Sequence, residues 1–153
     1  MLTVKVNIIE LNEKQQLSIN EIGNNIWIAS EAQKKKYEII DQANTLQTKG
    51  IIVLNCIPVH DEKRRRFEER FLNRPRLIEN EPGFVAIRVL RPVQDDIYIV
   101  LTQWQTEEAF RNWQASTAYQ HAHRKRKTQQ GIDQETGVLK NKPYHKLYRP
   151  ITN

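Results

Sequence analysis

Residues 51–59 read IIVLNCIPV, the run of richest β-propensity in the chain. Branched side chains suit a pleated surface, so the run predicts a strand. Alternation then places Ile51, Val53, Asn55, Ile57 and Val59 on one face and Ile52, Leu54 and Cys56 on the other. Asn55 is a polar side chain on an otherwise apolar face. A carboxamide buried without partners costs about 1 to 3 kcal/mol. It must therefore bond to backbone, as at a bulge or sheet edge, or point into a polar cavity.

Downstream, Asp61 is the expected cap of a helix through EKRRRFEERFL, with Phe67 and Phe71 four apart as its core contacts and Pro75 at its end. Glu81-Pro82-Gly83 signals a turn; residues 84–90 alternate as a strand, 92–96 form a polar turn, and 97–104 supply the partner strand of a hairpin. Thr106 caps a further helix, its Glu107 and Glu108 suiting the positive end of the helix dipole, and Ala109, Phe110 and Trp113 share one face. Ser116 and Thr117 offer a second capping point, and Tyr119 with His123 defines the face of a following helix. Residues 131–141 are polar, a loop by composition, and 144–150 (YHKLYRP) are expected as an edge strand ending at Pro150. The order strand, helix, strand, strand, helix, strand is the α+β, ferredoxin-like pattern, with helices on one side of an antiparallel sheet.

Upstream of residue 51, two short strands are expected at 4–11 and 24–29, then a helix capped by Ser30 with Ala32, Tyr37, Ile40 and Ala43 on its apolar face. Gly50 ends this segment. The expected organisation is a strand-strand-helix extension over 1–50 and a principal domain over 51–153.

The composition is globular, 39% hydrophobic and 27% charged in 153 residues, without low-complexity tracts. Two basic runs, 63–66 and 124–127, supply much of the net charge of +6. Such runs are most often solvated faces, and no aromatic-rich strand motif of the RNA-binding type accompanies them, so no nucleic-acid partner is expected. The single cysteine, Cys56, excludes an intramolecular disulfide and favours a reducing compartment. No segment approaches about 18 apolar residues and no leader pattern opens the chain, so a cytoplasmic location without a membrane is expected.

Motifs for common chemistries do not fit. The four histidines, His60, His121, His123 and His145, lack zinc-site spacing, and there is no nucleophile elbow, P-loop or dinucleotide fingerprint. What remains is Asn55, Trp113 and His123. The run ExEPGFxxxxVL at 79–90, Gln103-Trp104, and AFRNWQASTAYQHAH at 109–123 resemble the heme-degrading monooxygenases, Isd type, of the antibiotic biosynthesis monooxygenase (ABM) superfamily. The resemblance covers roughly residues 51–127. It implies a functional trio of a strand Asn, a helix Trp and a His ten residues after it, which Asn55, Trp113 and His123 match in type, order and spacing.

The resemblance further implies that His123 is the axial ligand of heme iron, that Trp113 presses on the porphyrin, and that Asn55 donates a hydrogen bond near bound dioxygen. Heme would be both cofactor and substrate, with molecular oxygen and an external reductant or reductase as the other partners. Arg124 is the expected propionate contact, with Lys125 beside it. His121 projects about 200° away from His123 on a helix and is the candidate for the wrong histidine. A continuous helix would separate Trp113 and His123 by about 15 Å along its axis, so a break at Ser116-Thr117 is needed for both to meet one porphyrin. Family members of one-domain length pair as homodimers to close an α+β barrel. Here the extension is expected to replace the second subunit, giving a monomeric pseudo-dimer, with a homodimer as the other possibility. Rival functions are a cofactorless ABM-type oxygenase of aromatic or quinol substrates and a noncatalytic heme carrier or sensor.

Overall fold

The computed structural model describes residues 3–116 and 137–151. Its strands are β1 Thr3–Glu10, β2 Gln16–Ile22, β3 Asn25–Ala29, β4 Lys34–Ala43, β5 Ile51–Pro58, β6 Phe84–Pro92, β7 Ile97–Trp104 and β8 Tyr144–Pro150. Helix α1 spans Arg64–Leu72 and α2 spans Glu107–Gln114. The ferredoxin-like expectation holds: β5 lies between β7 and β8, with β6 beyond β7, and α1 and α2 follow β5 and β7 in the chain. The meander β1–β4 bridges the two edges of that sheet, pairing β4 with β6 and β1 with β8, so all eight strands form one closed antiparallel barrel. Closure leaves no unpaired edge.

The alternation expected for β5 sorts its residues as predicted. Ile52 and Leu54 join the barrel interior with Ile8, Ile19, Leu90 and Leu101, whereas Val53, Ile57 and Val59 belong to an outer core shared with Phe67 of α1 and Phe110 of α2. Each face of the same strand therefore seals a different core. A buried ion pair crosses the interior from the meander to the ferredoxin-like sheet: Glu21 accepts from Arg88 Nε at 2.5 Å.

Four sequence expectations are corrected. Residues 30–43 are not helical. Ser30 does cap, but its Oγ accepts from the amides of Ala32 and Gln33 inside a tight turn, and residues 34–43 continue as β4. Pairing of β4 with β3 on one side and β6 on the other outweighs the spacing of Tyr37, Ile40 and Ala43. A register shift between Ile39 and Asp41 explains why that spacing resembled a helix: the bulge turns Ile40 and Ala43 toward the outer core while Tyr37 stays inside. Second, β2 was not anticipated; its Leu17, Ile19 and Glu21 alternate inward, and Gly23, at φ +61°, makes the turn into β3. Third, β8 is not an edge strand, because β1 and β5 flank it. Fourth, Asp61 makes no capping hydrogen bond; it opens a short 3-10 turn, Asp61–Lys63, before α1 begins.

The turn expected at Glu81-Pro82-Gly83 fixes α2. Gly83 has φ +81°, and a Cβ there would lie 2.5 Å from Ala109 Cβ, so only glycine allows this close approach. Its carbonyl accepts from Gln105 N at 2.8 Å, just before Thr106 caps α2 by accepting from Ala109 N at 3.1 Å. The basic run at 63–66 is partly structural as well. Arg64 donates to the Pro92 carbonyl at 2.5 Å, and Arg65 pairs with Glu69. Glu68 anchors α1 to the sheet by accepting from Tyr98 Oη and from both Arg91 Nε (3.0 Å) and Nη2 (2.6 Å). Burial and then the Glu68 bond push the Tyr98 hydroxyl up to about 12.

Candidate functional site

The outer face of β5 and the inner face of α2 form one wall. Trp104, fully buried at the end of β7, supports it: its ring meets Phe84 edge-on at 5.7 Å, Phe110 at 6.0 Å and Trp113 at 5.6 Å, centroid to centroid. Its indole nitrogen donates to Thr102 Oγ1 at 3.1 Å. The adjacent Gln103 points inward and ties residues 47–49 to the barrel through three hydrogen bonds to backbone groups of Gln47 and Lys49, each 2.8 or 2.9 Å. The pair Gln103-Trp104 thus closes both cores from one strand end.

Trp113 is half-buried, resting on Trp104 and 6.2 Å from Phe110. It is partly packing, as its helical spacing alone suggests, and partly a presented aromatic surface. After it the helix stops: Ala115 is the C-cap and Ser116 bonds back to the Trp113 carbonyl through both its amide (3.0 Å) and its hydroxyl (2.6 Å). α2 thus ends just before the break expected at Ser116-Thr117, and the helix expected after it lies outside the described residues. Thr117, Tyr119, His121, His123, Arg124 and Lys125 lie outside the described residues.

Asn55 is half-buried on the outward face of β5, and among the described residues its carboxamide has no hydrogen bond. It is flanked across the ladder by Val100 of β7 and His145 of β8. The imidazole of His145 in turn meets Phe110 at 6.0 Å and 67°. Asn55 and Trp113, 58 positions apart in sequence, are thereby joined along one wall through His145 and Phe110. Desolvation first, and the positive Arg111 second, hold His145 below the usual histidine range, so it is neutral at physiological pH. Sequence reasoning named His145 only as one of four histidines. Alternation within 144–150 puts His145 and Leu147 on one face, but only the register with β5 shows that this face carries Asn55.

A half-buried aromatic and an unpartnered carboxamide beside a neutral imidazole suit a large, flat, mostly apolar ligand with a polar atom to be hydrogen-bonded. Among the described residues no group of three His, Cys, Asp or Glu side chains is placed to hold a metal ion, and no helix is long and apolar enough to cross a membrane.

Comparison with known proteins places this chain in a family. The family model described as antibiotic biosynthesis monooxygenase matches residues 50–125. A heme-degrading monooxygenase of Halalkalibacterium halodurans is 33% identical over 85 residues, which is 54% of this chain and 72% of that protein. The chain belongs to the antibiotic biosynthesis monooxygenase family. A mycobilin-producing heme oxygenase of Mycobacterium tuberculosis is 38% identical over 64 residues, 41% of this chain and 61% of its own length, so the chain spans less than two thirds of that relative. The solved structure of the heme-degrader MhuD from M. tuberculosis, with two hemes bound in its active site, superposes with a TM-score of 0.53 at 26% identity, covering 67% of this ABM chain and 97% of MhuD.

Proposed function

We propose that this ABM protein is an oxygen-dependent heme-degrading monooxygenase that opens the porphyrin ring and releases iron. The observation that carries the proposal is the wall joining Asn55 to Trp113, two members of the expected trio. The degraders among its relatives support the substrate. Bound heme supplies the iron centre that activates dioxygen and is itself the molecule consumed, with electrons from an external reductant. Trp113, braced by Trp104, would present its indole as the surface against which bound heme packs. Asn55 provides an amide donor with no competing partner among the described residues, beside an apolar floor of Val53, Ile57 and Phe110. His123 is assigned to hold the iron and Arg124 to meet a propionate. Residues 1–50 act as the pseudo-dimer partner of 51–153, so that the working unit is a monomer.

Hemin titrated into the protein is expected to give a Soret band that bleaches with ascorbate in air, and His123→Ala to abolish binding. An unchanged hemin spectrum would overturn the proposal in favour of a cofactorless oxygenase, and a Soret band that never bleaches would leave only a carrier.

A further inference from the structure

We propose that His145 is a second hydrogen-bonding residue of this site, acting with Asn55 on a small ligand carried by the bound heme; the inference rests on the function proposed above. His145 and Asn55 are direct cross-strand partners on the outward face of the sheet. Side chains so paired have Cβ atoms about 4.5 to 5.5 Å apart, close enough to converge on one small molecule. Neither has a hydrogen-bond partner among the described residues. His145 is exposed and Asn55 half-buried, so both side chains are accessible to a ligand. Phe110 orients the imidazole by an edge contact, and the same Phe110 packs on Trp113.

The two groups are complementary. A neutral imidazole offers one N–H donor and one acceptor, and the carboxamide offers donors and an acceptor of its own. Among the described residues the charged group facing His145 is Arg111 of α2, while β5 presents only the neutral Asn55 there. An anionic ligand at this point gains a donor from His145 and a favourable field from Arg111, whose guanidinium lies over the Phe110 ring at 5.3 Å. Protonation of His145 at lower pH adds a positive charge and tightens anion binding further.

The test uses the full chain loaded with ferric hemin and titrated with azide between about pH 5.5 and 8. His145→Ala is expected to bind hemin like the parent but to bind azide at least about 10-fold more weakly, as loss of one hydrogen bond to an anion dictates. It should also lose the rise in azide affinity that the parent shows as pH falls. His145→Gln, which keeps an N–H donor without titrating, should restore azide affinity near pH 8 but not the pH dependence. Azide affinity and pH profile unchanged in His145→Ala would overturn the proposal, and so would loss of the Soret band in that variant, which would make His145 an iron ligand instead. Both of those outcomes leave the heme-degrading function standing. Failure of the parent to bind hemin at all would remove that function and this inference together.

Discussion

Replacing Glu21 by Gln tests whether the N-terminal extension and the ABM portion form one barrel. Glu21 lies on β2 and Arg88 on β6, and their side chains are 11% and 4% exposed. The carboxylate accepts from Arg88 Nε at 2.5 Å and from Nη2 at 3.4 Å, while Nη1 turns to the carbonyls of Ala43 (3.2 Å) and Ile87 (2.8 Å). Without the carboxylate a guanidinium remains inside the barrel with neutral acceptors only. Removing one member of a buried pair costs about 3 to 5 kcal/mol, against about 0 to 1 for an exposed pair. The low end is expected, about 3 kcal/mol, because the Gln oxygen still accepts one N–H and both carbonyls remain. In a chain of this size that corresponds to a Tm lower by about 6 to 12 °C. Urea unfolding followed by tryptophan fluorescence should give a lower midpoint at unchanged slope. Combining Glu21→Leu with Arg88→Met, apolar on both sides, should recover most of the loss, since the penalty is the unpaired charge and not the missing attraction. A Glu21→Gln midpoint within about 0.5 kcal/mol of the parent, or two separate transitions, would refute a single barrel sealed by this pair.

Gly83→Ala should cost about 1 to 3 kcal/mol from a left-handed φ and the clash at Ala109; adding Ala109→Gly should relieve the clash and restore part of the melting temperature. Full recovery would show that the backbone conformation contributes nothing. Burial opposes ionisation of Glu68, but hydrogen bonds from Arg91 and Tyr98 prevail and hold its carboxyl below the usual carboxylate range. Its contribution to stability is therefore present above the ordinary glutamate pKa and is lost as pH falls through the lower folded value. Glu68→Gln should flatten acid unfolding below about pH 4.5, and a parallel acid profile would argue against that anchor. Sedimentation should give the 18.1 kDa chain mass, and twice that mass would replace the pseudo-dimer with a homodimer.

The ferredoxin-like half was legible because its signals were local. Residues 51–59 carry their own alternation, Thr106 its own cap, and Glu81-Pro82-Gly83 its own turn, and each forms where expected. The extension was legible only in part. Residues 34–43 are strand because two neighbours pair with them, a long-range cause that the sequence of β4 does not carry, and its bulge at Ile39/Asp41 further blurred the period of two. The site divides in the same way. Asn55 stood out as a polar residue on an apolar face, and Trp113 through the resemblance. His145 was silent, because its meaning depends on the register between β5 and β8, which are separated by the whole of the intervening hairpin and α2.

The two halves of the barrel differ on their outer surfaces, and the candidate site lies on the more apolar of them. Across β1–β4 the outward row Lys5, Asn20, Trp27 and Lys36 runs in register, with the ammonium groups of Lys34 and Lys36 lying 4.9 and 5.6 Å from the Trp27 ring centroid. Long charged side chains covering a lone aromatic are what a water-facing sheet requires. Across β5–β8 the outward row at Asn55 is flanked by apolar Val53 and Ile57 and roofed by Phe110. Among the described residues, Phe110 of α2 packs against this face. The meander supplies what the ferredoxin-like sheet lacks in hydrogen-bonding terms, partners for the free edges of β6 and β8, without duplicating its outer wall. The ladder between β8 and β5 sets His145 opposite Asn55, while β1 holds the far end of β8 at Tyr148, Arg149 and Pro150.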